Sequence, residues 1–257
     1  MIRNWFVHYK RFGRRRSAFD RQAATMRPLG SFPRIIHLFW DRGPEKAPEL
    51  VRRCIRSWQD HNPNWQVIVW NEETAPLPRS GFPADMKTAA YSDMLRLQLL
   101  DQQGGVWCDA TTLCIRPLDQ WLLQIMAQTD FFAWSRPGPD RAISSWFLAS
   151  RPGGTIVRAL RGACNDFWSE RKGTTRSYFW FHYIFEYLER TSCRFRSEWQ
   201  TAPQLSAIPL FSLADRLNED LPADEIELYR SVPLHKLTYK RELDWQRICE
   251  VLGRPTP

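Results

Sequence analysis

The sequence predicts an α/β fold with a mainly parallel central sheet flanked by helices. Three short apolar stretches, rich in β-branched and aromatic residues, alternate with two helix-patterned stretches between Arg34 and Cys114. Connections of that kind place successive strands side by side and parallel. The chain has 257 residues, 43% hydrophobic and 25% charged, which is enough to bury a core around such a sheet without covalent staples.

The elements read in order as follows. Arg34–Trp40, "RIIHLFW", is a buried strand that ends in the turn residues Asp41-Arg42-Gly43-Pro44. Pro48–His61 is a helix: Pro48 suits its first turn, Leu50, Val51, Cys54, Ile55 and Trp58 form an apolar stripe, and Asn62-Pro63 stops it. Trp65–Asn71 is a second strand, and residues 72–84 form a Pro- and Gly-rich loop. A helix from about Asp85 to Gln103 stops at Gly104-Gly105. "VWCDATTLC", Val106–Cys114, is a third strand. Phe131–Ser135 and Ile143–Ser150 are two more, around the turn Arg136-Pro137-Gly138-Pro139. "TIVRALRGACNDFWSE" and "SYFWFHYIFEYLER" are helices, and Val232–Lys240 is a short strand or an extended strap.

The net charge of +8 lies in one place. Residues 1–34 carry nine Lys and Arg and a single acid, Asp20, so the remainder is neutral. A neutral body argues against a nucleic-acid-binding domain, which needs a basic face. In residues 1–28 the apolar positions Ile2, Trp5, Phe6, Tyr9 and Phe12 fall near helical spacing among arginines and lysines. That pattern fits a basic amphipathic arm on an anionic membrane surface, and equally a tail or a helix docked on the body. The domain itself is then residues 29–257. The six cysteines show no CxxC pair and no ligand spacing with histidine, which disfavours structural zinc. The first 30 residues lack the apolar core of a signal peptide, and no run of 18 apolar residues occurs. A reducing, cytoplasmic setting is expected, with the arm peripheral on the cytoplasmic face of the inner membrane. The 13 tryptophans suit a stacking or sugar-facing surface as well as an aromatic core.

Two places hold candidate chemistry. Asp93 and Arg96 share a helix face in an apolar setting of Tyr91, Met94, Leu95, Leu97, Leu99 and Leu100. Such a pair is either a surface ion pair or a partly buried one that needs further partners. Asp109 follows the Gly104-Gly105 hinge in a strand that is otherwise apolar. With the Thr111 and Thr112 hydroxyls beside it, Asp109 is either a structural carboxylate or a ligand for a hard divalent cation completed by substrate phosphate.

The ordered blocks "SFPRIIHLFW", "SWQDHNPNWQVIVWNEE" and "YSDMLRLQLLDQQGGVWCDATT" resemble the capsular polysaccharide synthesis proteins, relatives of the glycosyltransferase family 32 sugar transferases. The resemblance runs over about residues 32–240. It implies a GT-A-like, Rossmann-like domain binding a nucleotide-sugar, and transfer of the sugar to a glycan or lipid-linked acceptor in capsule, lipopolysaccharide or other surface polysaccharide synthesis. On the matching positions it implies that Asp93, Arg96 and Asp109 are catalytic. Phe39, Trp40, Ser92, Trp107 and Lys236 would bind the donor, Trp40 stacking on the base and Lys236 facing the diphosphate. A divalent cation, Mn²⁺ or Mg²⁺, would sit on Asp109 with His235 and Thr111. His182 would lie on the acceptor side; the residues alone favour a helix histidine packed among aromatics. The related enzymes retain anomeric configuration, and no carboxylate nucleophile or catalytic base stands out here. One departure bears on the metal: family 32 transferases carry Asp-x-Asp where this chain has Asp109-Ala110-Thr111. The competing reading is a non-catalytic glycan- or membrane-binding module on a degenerate version of the fold.

If the arm holds the protein on lipid, deleting residues 1–28 should release it from anionic liposomes in a flotation assay. Unchanged flotation would sink that reading.

Overall fold

The computed structural model describes residues 31–175 and 177–254; the N-terminal arm at residues 1–28 lies outside them. The chain runs β1 (Ile35–Phe39), α1 (Glu49–His61), β2 (Gln66–Trp70), α2 (Thr88–Gln102), β3 (Gly105–Cys108) and β4 (Thr112–Cys114). Then come α3 (Leu122–Met126), β5 (Phe131–Gly138), β6 (Arg141–Ser150), α4 (Thr155–Ser169), α5 (Trp180–Thr191) and α6 (Cys193–Thr201). The last elements are α7 (Ile208–Arg216), α8 (Ala223–Ser231), β7 (Leu234–Lys236) and α9 (Trp245–Leu252).

The fold is α/β, with a central sheet in the order β2-β1-β3-β6-β5 between helices. β1 pairs in parallel with β2 and with β3, while β3–β6 and β6–β5 are antiparallel. Four strands therefore share one direction, and β6 alone reverses because it closes a hairpin with β5. That hairpin is longer than the sequence implied and turns at Pro139-Asp140. Arg136, placed in the turn by sequence, lies in β5 instead, at a left-handed φ of 49° in an irregular stretch of the ladder.

Alternation along the strands sorts the core. Ile36, Leu38, Val106, Cys108, Phe132, Phe147 and Ala149 pack on one face with α1 and α3. Phe39, Trp107, Phe131, Ala133 and Leu148 pack on the other with α2, α4, α5 and α6. α2 is buried on nearly all sides: Ala90, Tyr91, Met94, Leu95, Leu97, Leu99 and Leu100 are all covered. A third cluster joins α1 and β4 to α7, α8, α9 and Leu237, just past β7.

The largest difference from the sequence reading is at "VWCDATTLC". It is two strands, not one. β3 ends at Cys108, the chain turns through Asp109-Ala110-Thr111, and β4 leaves the main sheet to pair antiparallel with β7. The Thr112 N–H donates to the Asp109 carbonyl at 2.9 Å within that turn. α2 also begins later than read, at Thr88, after a turn in which the Met86 N–H donates to the Pro83 carbonyl. The four helices α6 to α9 complete the C-terminal part. No helix among the described residues is long and apolar enough to cross a membrane.

The passage from α2 into β3 is tight. Gly104 and Gly105 have φ of 69° and 88°. Buried His37 in β1 lies 3.1 Å through Nε2 from the Gly104 carbonyl, and its Nδ1 accepts from the Trp70 indole at 3.2 Å. Those two bonds require Nε2 to carry the proton and donate. A Cβ at Gly105 would lie 2.4 Å from the Ile35 carbonyl oxygen. Gly105→Ala should therefore cost at least ~2 kcal/mol, from positive φ and the clash together. Gly81→Ala, where a Cβ meets nothing within 4 Å, should stay within about 0.5 kcal/mol of wild type. Urea unfolding of both variants checks this; equal midpoints would refute the account.

Candidate active site

Because α2 is buried, Asp93 and Arg96 are buried with it. The Arg96 side chain is 4% exposed, and its Nη1 lies 2.6 Å from Asp93 Oδ1. The same nitrogen donates to the Ser145 carbonyl at 2.9 Å. Nη2 donates to Ser92 Oγ at 3.2 Å and to Asp109 Oδ1 at 3.3 Å. The guanidinium lies over the Trp107 ring, 5.0 Å from its centroid. The i, i+3 spacing thus builds a buried pair, and the α2–β3 hinge carries a second carboxylate round to the same guanidinium.

Asp109 sits immediately past the carboxyl end of β3, where ligands bind in α/β sheets. Its backbone N–H donates to the Trp146 carbonyl in β6 at 2.8 Å. The turn beyond it is held from α1. The Trp58 indole donates to the Thr112 carbonyl at 2.8 Å, and Ser57 Oγ accepts from the Cys114 N–H at 2.9 Å. Asn62 Oδ1 accepts from the Leu118 N–H at 2.8 Å. β4 in turn aligns β7, with Thr112 opposite Lys236. The Lys236 ammonium donates to Thr111 Oγ1 and stands 3.4 Å from Asp109 Oδ2.

These groups open into a cavity of about 700 Å³ lined by Phe39, Trp40, Ser92, Trp107, Asp109, Thr111 and Lys236 among others. Trp40 and Tyr239, both in that lining, meet edge to face with ring centroids 5.1 Å apart. Tyr178, 70% exposed, lines the wall too. Arg42, Lys46 and Lys240 add positive charge.

The two carboxylates differ in their proton affinity. Burial dominates at Asp93 and raises its pKa to about 6, against the pull of Arg96 and the Trp180 indole. At Asp109 burial also works to raise it, but Lys236 and Arg96, with the Trp107 indole 3.2 Å from Oδ1, hold the carboxyl below the usual range.

Of the residues singled out by sequence, Phe39, Trp40, Ser92, Trp107, Asp109, Thr111 and Lys236 line the cavity. Asp93 and Arg96 lie beneath that lining. Two do not reach it. His235 alternates with Lys236 on β7, so its ring points the other way: it is fully buried, its Nε2 is 2.9 Å from the Tyr229 carbonyl, and burial lowers its pKa to about 4. It is therefore not placed to ligate a metal beside Asp109. His182 is buried between Phe179 and Phe181, each with ring centroids 5.7 Å away, and burial first, then Arg141 and Arg96, lowers its pKa to about 3. It packs; it does not face the cavity.

A divalent cation, which the resemblance implies, does not fit the donors present. Asp109 Oδ1 is taken by Arg96 and Trp107, Oδ2 faces Lys236, and the Thr111 hydroxyl accepts from the same ammonium. Among the described residues, no group of three or more His, Cys, Asp or Glu side chains is placed to hold a metal. Sequence reasoning passed over Tyr178 and Tyr239. Both stand inside stretches it had marked, "SYFWFHYIFEYLER" and "VPLHKLTYK"; the nearness of Tyr239 to Lys236 was an available signal, and Tyr178 had none of that kind.

The chain is similar in sequence to known proteins. Residues 10–252 match the family described as capsular polysaccharide synthesis protein. Glycosyltransferase afumC of Aspergillus fumigatus is 29% identical over 159 residues, covering 52% of this chain and 40% of that protein. Inositol phosphoceramide mannosyltransferase 1 of Schizosaccharomyces pombe is 27% identical over 135 residues, covering 48% and 40%. The matches thus span only two fifths of the length of these curated relatives. The solved PaToxG glycosyltransferase aligns with a TM-score of 0.42 and 14% identity over 90% of this chain and 95% of that one.

Arg96→Ala leaves two carboxylates without their shared partner. It should cost about 3–5 kcal/mol in urea unfolding, the usual penalty for breaking a buried ion pair. Adding Asp93→Ala should recover part of that loss, since it removes the carboxylate left bare. A loss under about 1 kcal/mol for Arg96→Ala would contradict the arrangement.

Proposed function

This chain belongs to the capsular polysaccharide synthesis protein family, and from that premise we propose that it is a glycosyltransferase using a nucleotide-sugar donor. The observation that carries the reading is the pairing of one guanidinium with two carboxylates at a cavity whose lining holds both aromatic rings and cations. A nucleotide-sugar needs those features: a stacking surface for the base, positive charge for the diphosphate, and carboxylate for hydroxyls. Trp40, with Tyr239 beside it, takes the base, and Phe39 lines the cavity next to it. Lys236 faces the diphosphate. Asp109, whose side chain is 31% exposed, accepts hydroxyls of the donor, with Trp107 and Ser92 lining its side. Arg96 holds Asp109 in place, and Asp93 acts through Arg96.

In the transfer, the bond from the anomeric carbon to the β-phosphate oxygen breaks and its electron pair leaves with the phosphate. An acceptor hydroxyl oxygen forms the new bond from the same face, and its proton passes to the departing phosphate oxygen, so configuration is retained. The protein's part is to stabilise the growing negative charge and hold the reactants in line. The acceptor is a glycan or a lipid-linked saccharide of a surface polysaccharide. The names of the two fungal relatives, a glycosyltransferase and a mannosyltransferase, support sugar transfer in general.

A transfer assay with a panel of UDP- and GDP-sugars tests this. Asp109→Ala should lower kcat/KM by ~10²-fold or more while the protein stays folded. Asp93 carries its charge only above about pH 6. Protonation below that releases Arg96 towards Asp109, so kcat/KM should fall as pH drops through about 6. In Asp93→Asn that limb should vanish and the rate be low throughout. Wild-type rates in Asp109→Ala would end the assignment. A folded chain that neither hydrolyses nor transfers from any donor, yet binds glycan, would favour the non-catalytic module.

A further inference from the structure

A side chain already stands where a cation would serve the proposed donor. The Lys236 ammonium has three N–H donors. One goes to the Thr111 hydroxyl, a second points at Asp109 Oδ2 3.4 Å away, and the third is left for the cavity that Lys236 lines. Its position is built in by the backbone. Lys236 pairs with Thr112 in the β4–β7 ladder, and the Leu237 N–H donates to the Thr111 carbonyl at 2.9 Å. The side chain is 22% exposed, so it reaches the carboxylate through a mostly covered path. A metal ion bound between Asp109 and Thr111 would stand against this ammonium, and like charges that close repel strongly in a partly buried site. The charge of the lining agrees. Four basic side chains, Arg42, Lys46, Lys236 and Lys240, face two acidic ones, Asp41 and Asp109. That leaves two net positive charges, the number that offsets the two negative charges of a nucleotide-sugar's diphosphate.

We propose that Lys236 takes the place of a divalent cation in this chain: its ammonium is the fixed charge that receives the diphosphate of a nucleoside diphosphate, and nucleotide binding needs no metal ion. The proposal rests on the glycosyltransferase reading above. Thr111, neutral where a second carboxylate would recruit a metal, is then the acceptor that aims the lysine. Asp109 serves both the donor's hydroxyls and the ammonium, which couples the two halves of the donor in one carboxylate.

Calorimetric titration of the full chain with UDP, GDP, dTDP and CDP, in excess EDTA and again in excess Mn²⁺, tests this. The nucleotide that binds should do so with affinities within about twofold in the two buffers. Lys236→Met should weaken that binding about tenfold or more, and Lys236→Arg, which keeps a charge, should hold it within a few-fold. Thermal unfolding identifies any variant that fails to fold, and the wild-type comparison of the two buffers decides the matter regardless. Binding that appears only with Mn²⁺ overturns this proposal and leaves the glycosyltransferase reading standing, as does unchanged affinity in a folded Lys236→Met. Failure of all four nucleotides to bind in either buffer overturns both.

Discussion

The guanidinium of Arg96 is nearly sealed from water and holds two carboxylates from different elements, Asp93 on its own helix and Asp109 past the end of a strand. Taking three charges out of water costs several kcal/mol per ion unless each finds close partners. Arg96 has them on both terminal nitrogens, with the Trp107 face beneath, while its Nε finds none. The consequence is directional. With Arg96 fixed by Asp93 and by the Ser145 carbonyl, Asp109 has little freedom to swing, and the cavity inherits one carboxylate at a defined place. The remaining geometry serves this point: the glycine hinge brings the strand back from the helix, and His37 fixes the hinge to β1.

A second layer of support lies outside the cavity. Ser57 and Trp58, in the C-terminal part of α1, and Asn62, just past it, satisfy backbone groups of the segment from Thr112 to Leu118. A chain leaving a sheet edge exposes unpaired amides and carbonyls, and burying them without partners is costly. These three side chains supply the partners, so β4 can depart from the main sheet and still be buried. They form part of the "SWQDHNPNW" block, and their role is in positioning the Asp109 turn.

How much of this was legible depended on range. Local pattern was enough for β1, α1 and β2, because periodicity and end signals lie within each segment, and for the end of α2 at its glycines, though not for its start. The site's members were legible where a short motif held them together, as with Ser92, Asp93, Arg96, Trp107 and Asp109. The break at Asp109 was not, since "VWCDATTLC" is continuously strand-like and only contacts with α1 and β7 divide it. The β5–β6 hairpin was legible from its Pro- and Gly-rich stretch, but its turn falls at Pro139-Asp140, at the far edge of it. His235 and Lys236 show the limit most plainly. They are adjacent, and strand alternation sends one into the core and the other into the cavity. Which is which follows from the pairing of Thr112 with Lys236, and that register is not written in either strand alone.

That pairing joins parts of the chain made far apart in time. The contact of Lys236 with Thr111 spans 125 residues, and Tyr239 lies further still along the chain. During synthesis the sheet and its helices can gather around Arg96 while the last part is yet to be made, but the cavity then lacks Lys236 and the Tyr239 ring. Closing so long a loop carries an entropic cost that local contacts do not repay, so it belongs to a late stage of folding. A chain interrupted before β7 would therefore lack Lys236 and Tyr239, and with them part of the cavity wall.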